Sequence, residues 1–141
     1  MDLDDDGALR SEPSAQALVE SMPFATALGI RLEAAAAEEV RGRMDWDAER
    51  CTIDGALHGG ALMTLADSVA AICAFLNLPK GASTSTIESK TNFFRGVRDR
   101  AVIATARPLH VGRTTIVVQT DLRDLDDKRV AIVTQTQAVL G

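Results

Sequence analysis

Cysteine is scarce in this chain. Cys51 and Cys73 are the only two, too few for a disulfide framework and at a spacing that matches no metal site. Cys73 stands in an apolar run and reads as a small core side chain. Basic residues do not dominate either: fifteen Lys and Arg face twenty Asp and Glu, a net charge of −5. A nucleic-acid partner needs a basic face that this balance does not supply. Most of the charge is terminal, because residues 1–12, MDLDDDGALRSE, hold five acids and one base. We read residues 1–20 as an acidic, solvated tail with a short helix, and residues 21–141 as one domain. A basic n-region followed by an apolar stretch is missing from the N-terminus, so no cleavable signal is expected and the location reads as cytoplasmic. No G-x-S-x-G elbow occurs, which argues against a Ser-His-Asp hydrolase. Repeats and low-complexity linkers are absent as well.

What is present is an ordinary globular composition, 46% hydrophobic over 141 residues, enough to bury a real core. Residues 14–21, SAQALVES, predict a short amphipathic helix ended by Pro23. The segment 30–47 is ambiguous: its Ala and Glu content favours a helix, but Ile30, Leu32, Val40, Met44 and Trp46 also fit a strand with an irregular middle, and strand is the expectation. Residues 48–57 carry the turn signal Asp54-Gly55 and read as a loop. A long apolar helix follows over 61–78 and stops at Pro79, Lys80 and Gly81. It is slightly shorter than the roughly 20 residues a bilayer requires and carries Thr64, Asp67, Ser68 and Asn77, so a core helix is expected, not a membrane span. Four strands complete the chain, at 84–94, 101–111, 114–122 and 129–140. Their short polar links predict a meander of antiparallel neighbours. The expected architecture is α+β: one long helix wrapped by one antiparallel sheet. A helix apolar on nearly every side needs more cover than one small sheet provides, which points to a second subunit.

Two features of the helix carry chemistry. Asp is a poor helix-interior residue, and burying its charge costs several kcal/mol unless it is paired. Asp67 therefore has either a functional reason or a place on a narrow exposed stripe with Thr64, Ser68 and Ala71. His58, Gly59 and Gly60 stand where the helix begins. Free N–H groups and partial positive charge collect there, glycines let a ligand approach the backbone, and a bound carbonyl would be polarised. His58 is either part of that chemistry or a helix cap. Asp67 is nine residues beyond His58, roughly 13 Å by helical rise, so one subunit cannot readily bring both ends onto one small substrate. Two antiparallel helices across a symmetric interface could.

The runs HGGALMTLADSVAAICAF, TIESKTNFFRG and HVGRTTIVVQTDLRD together resemble the hotdog-fold thioesterases, specifically the phenylacetic-acid-degradation type of acyl-CoA thioesterase. The resemblance runs from about residue 24 to the C-terminus. It implies a hotdog fold and hydrolysis of acyl-CoA, with no cofactor beyond the CoA of the substrate, no metal and no membrane. It implies a homodimer at minimum and a homotetramer by analogy. Carried over by position, Gly59 polarises the thioester carbonyl, Asp67 of the neighbouring subunit acts as general base or nucleophile, and His58 holds the carbonyl side. Thr86 orients the acid or water. Gly60 lies beside the carbonyl, Gly112 and Arg113 border the CoA nucleotide, and Arg95 is a candidate phosphate contact. Relatives often have Asn six residues before the His, where this chain has Thr52. A hotdog domain that binds an acyl thioester without turning it over is the rival from another class. A binder, however, has no need of the carboxylate.

Overall fold

The computed structural model describes residues 15–141, so the acidic residues 1–12 lie outside the described part. In chain order the elements are α1 (Ala15–Glu20), α2 (Pro23–Ala27), β1 (Arg31–Ala36), β2 (Glu39–Asp45), α3 (Gly59–Leu76), β3 (Ser83–Phe93), β4 (Ala101–Val111), β5 (Thr115–Asp124) and β6 (Arg129–Leu140). The six strands form one sheet in the order β1-β2-β4-β5-β6-β3, antiparallel throughout.

Alternation explains the layering. In β4, Val102, Ala104 and Ala106 are fully buried, while Ile103, Thr105 and Arg107 between them face out. The same period-2 pattern puts Ile116, Val118, Thr120 and Leu122 of β5 inward. Their inner face receives α3, which touches all six strands. Ten of its eighteen residues are buried, among them Leu65, Ala66, Val69, Ala70 and Cys73. By length and hydropathy α3 could cross a bilayer, but its apolar face is spent on this sheet. Small residues let it come close. A Cβ on Gly42 of β2 would stand 2.5 Å from Val69 Cγ2 of α3, a distance no real contact tolerates. At the far end Asn77 Nδ2 donates to Cys73 O and Ala37 O, tying the end of α3 to the β1–β2 turn.

Three expectations are corrected. The irregular middle of segment 30–47 is a turn at Ala37–Glu38, which folds the segment into the β1–β2 hairpin. Pro23 does more than end a helix. It opens α2, where its missing N–H is no loss. The last four strands are not a simple meander: β4, β5 and β6 are, but β3 pairs with the far side of β6. The link 94–100 therefore crosses the end of the sheet, and its backbone is used along the way. Phe94 and Arg95 N–H both donate to Val130 O, Leu57 N–H donates to Val97 O, and Trp46 N–H donates to Arg100 O. Val97 is buried, which fixes the crossing. A short polar link limits span, not pairing, and this one spans by lying flat.

Overpacking at the closest approach should be costly. Gly42→Ala is expected to lower stability by about 1–3 kcal/mol. Adding Val69→Ala should recover part of the loss in denaturant unfolding, because the two changes share one volume.

Candidate active site

The residues before α3 are held firmly. Cys51 bridges Leu57 in a short antiparallel contact, and His58 N–H donates to Arg50 O at 2.8 Å. Trp46 Nε1 donates to Gly55 O, and Arg50 Nη1 donates to Asp45 O. Asp54 and Gly55 take positive φ, 63° and 73°, to turn the chain back into the helix.

His58 is the N-cap of α3. Its Nδ1 accepts the Gly60 N–H at 2.8 Å, so the other nitrogen carries the proton of the neutral ring. The cap leaves the two glycines with different duties. Gly60 N–H is taken, and a side chain there would press His58 Nδ1 at 3.0 Å. Gly59 N–H has no acceptor among the described residues, and the Phe93 ring lies beside it. One backbone donor at the positive end of α3 is thus open to a ligand carbonyl.

Gly60, Met63, Thr64, Asp67, Ala71 and Phe75 follow the three-and-four spacing of one helix face, and this face is the one the sheet does not cover. Ser68, expected on the stripe, is instead buried at 7% exposure. Two contiguous grooves run along the stripe. One, about 440 Å³, is lined by Phe24, Arg50, Cys51, His58, Gly60 and Thr64. The other, about 430 Å³, is lined by Phe24, Gly60, Met63, Asp67, Thr86 and Ser89. The structure thus brings His58, Gly60, Asp67 and Thr86 to one continuous surface of a single chain.

Asp67 is half-buried, and one of its oxygens is engaged. Oδ1 lies 3.0 Å from Thr86 Oγ1 of β3 and 2.9 Å from Gln135 Nε2 of β6, both donors. Gln135 and Gln137 are buried at 0% and 1%, and Gln137 Oε1 accepts from Gln135 Nε2 at 3.0 Å. Thr86 Oγ1 is also 2.6 Å from Gln137 Oε1, so its single proton chooses between that amide and Asp67. Among the described residues nothing donates to Asp67 Oδ2.

The expected CoA contacts lie elsewhere. Arg95 is exposed just past the end of β3, its N–H donating to Val130 O. Gly112 and Arg113 form the β4–β5 turn, at the end of the sheet where Thr115 pairs with Ala138 and β3 begins. Neither group lines the groove of its own chain. Thr52, where relatives often have Asn, is exposed, and its side chain makes no capping bond. Gln135 and Gln137 are the site residues that sequence reasoning missed. The signal was there, since both share the inward register of Val133 in β6, where a polar residue needs a reason.

Comparison with known proteins bears on the family and the fold. Residues 54–131 match the family described as the thioesterase superfamily. PA1618 of Pseudomonas aeruginosa is 36% identical over 114 residues, covering 80% of this chain and 79% of its own length. A crystal structure of a mutant form of PA1618, described as a thioesterase, superposes with a TM-score of 0.85 over 93% of this chain and 96% of that one. Thioesterase HI1161 of Haemophilus influenzae, 28% identical, gives a TM-score of 0.80 over 84% of this chain and 82% of that one.

The two cysteines should report on the groove separately. Cys51 lines it half-exposed, its thiol donating to Asp47 O at 3.3 Å. Cys73 is fully buried, and burial pushes its thiol up to about 11. A thiol-specific disulfide reagent at pH 8 should modify one thiol per native chain, Cys51, and reach Cys73 only on unfolding.

Proposed function

We propose, from the premise that the chain belongs to the thioesterase superfamily and has its hotdog fold, that it hydrolyses acyl-CoA thioesters to a free carboxylic acid and CoA. The observation that carries the reading is Asp67, the one charged residue lining its part of the groove, with one oxygen fixed and the other open. A core helix places a charge there at a cost, and a groove that only held an apolar acyl group would not require it.

In this reading the thioester carbonyl accepts the free Gly59 N–H at the start of α3. His58, with Nδ1 occupied by its cap, offers Nε2–H on the same side. Asp67 either takes a proton from water as that water adds to the carbonyl carbon, or adds to the carbon itself and is released by water in a second step. In both routes the C–S bond breaks, the CoA thiolate leaves with the bonding pair and the acyl group departs as a carboxylate. Thr86 and Gln135 keep Oδ1 occupied throughout.

Gly59 and Asp67 of one chain are eight residues apart along α3, roughly 12 Å by helical rise. The reading therefore includes a homodimer in which each groove is completed by the partner's Asp67. The edge strand β3 supports it. Eleven residues long and unpaired on one side, it carries Ile87 at 59% exposure, with Phe93 and Phe94 exposed at its end. Pairing of two β3 edges across a twofold would join the sheets and bring the exposed stripes of α3 together. The same symmetry offers the partner's β4–β5 turn and Arg95 as CoA contacts, and a homotetramer would follow by pairing dimers. The phenylacetic-acid-degradation subtype and a cytoplasmic site, in keeping with two free cysteines, belong to this proposal too.

Two measurements test it. Thiol release from acetyl-, hexanoyl-, palmitoyl-, phenylacetyl- and hydroxybenzoyl-CoA should identify a turned-over class, and Asp67→Asn should cut kcat by about 10²–10⁴-fold with the oligomer intact. Binding of CoA ligands with no turnover of any thioester would overturn the enzyme reading in favour of a carrier or sensor. In sedimentation the native chain should run as a dimer or larger, and Ile87→Lys should release monomer and lose activity together. A fully active monomer would defeat the shared site.

A further inference from the structure

We propose that Gln135 is a positioning residue that selects which oxygen of Asp67 does the chemistry. The inference rests on the reading of Asp67 as the acting carboxylate. Gln135 lies on β6, completely buried between the sheet and α3, and no expectation from the sequence gave it a role.

The amide is oriented by its neighbours. Nε2 faces two acceptors, Asp67 Oδ1 at 2.9 Å and Gln137 Oε1 at 3.0 Å, and it has two protons to give. Turned by 180°, the amide would set its oxygen against a carboxylate and a second amide oxygen. The cost of the observed orientation is visible at the other end, since Gln135 Oε1 is buried with no partner among the described residues. An orphan acceptor in a protein interior is a stability loss. A residue chosen for stability alone would be an aliphatic of the same volume. Gln135 sacrifices one end of its amide to keep the other on Asp67.

The surroundings make that donor count. The groove around Asp67 is lined by Phe24, Gly60, Met63, Thr64, Thr86 and Ser89, none of them charged, and Asp67 has no ion-pair partner among the described residues. No cation is at hand to orient the carboxylate. Thr86 cannot do it alone, because its proton is shared with Gln137 Oε1 at 2.6 Å. Only Gln135 offers Asp67 a donor with no better acceptor in reach. With Oδ1 anchored to the buried layer, the carboxylate plane is fixed and Oδ2 is presented to the groove, where water or the thioester carbon would stand. Gln137 acts one step further back, orienting Gln135 through Oε1 and held itself by Nε2 at 3.3 Å from Thr84 Oγ1.

Gln135→Met keeps the volume and removes both donors. It should lower kcat at least tenfold, leave KM within about twofold and keep the thermal midpoint within a few degrees of wild type, because the two hydrogen bonds lost are offset in part by removing the orphan acceptor Oε1. A merely structural role would move the midpoint and leave that split absent. In the Asp67→Asn background the same change should have no further effect on residual turnover, since there is nothing left to position. Should Gln135→Met not fold, the native protein still answers. The side-chain amide protons of Gln135 should include one shifted downfield in the ¹⁵N spectrum, and Asp67→Asn should move it. Wild-type kcat in Gln135→Met, or a Gln135 amide signal indifferent to Asp67→Asn, would overturn the inference while leaving an inactive Asp67→Asn to support the hydrolase. Full activity in Asp67→Asn would instead defeat the parent reading.

Discussion

Everything in this molecule follows from how closely α3 can lie against the sheet. Gly42 lacks the one atom that would strike Val69, so the helix sinks until Leu65, Ala66, Val69 and Ala70 are sealed. At that depth the helix has just one free face, and Asp67 is on it. A helix held further out would expose Asp67 fully and lift it away from Gln135. The depth that packs the core also sets the acid half in and half out of water.

Fold class was legible in the sequence because one long apolar run and several alternating ones stand out from the polar links between them. The strands expected at 101–111 and 129–140 match the observed limits of β4 and β6, while the helix expected over 61–78 runs two residues earlier, over Gly59–Leu76. Pairing order was not legible. Alternation shows which side of a strand faces the core but not which neighbour it takes, and β3 is placed by the crossing link 94–100 and its bonds to Val130, Leu57 and Trp46. The turn at Ala37–Glu38 was hidden for a similar reason, since an Ala- and Glu-rich run has no turn chemistry to announce it.

The site was partly legible. His58, Gly59 and Asp67 stood out because a cap, a glycine pair and a misplaced acid each break a local rule, whereas Thr86 came only from the family resemblance. Two of the alternatives weighed for them are what the structure shows, and the proposed roles are compatible with both. His58 is indeed a cap, and Asp67 does lie on an exposed stripe. The cap is what divides the labour between two glycines, and the stripe is what gives the acid access. Gln135 and Gln137 escaped notice because glutamine in a strand is unremarkable until its register is known. Their alternation with the buried Val133 is the one sign that these side chains point inward.

The crossing link has a further consequence for how the chain comes to life. Each residue of β3 waits for a partner in β6 roughly 40–60 positions later, a long separation for two strands in contact. During synthesis α3 and β3 emerge well before the strand that both need. Until β6 arrives, β3 is bare along both sides and the layer under Asp67 is missing. The order of events is therefore built into the topology: the scaffold can gather early, but the groove acquires its floor with the final strand. A nascent chain of this design is exposed to wrong pairing for longest at the very place where the finished protein is expected to meet its twin.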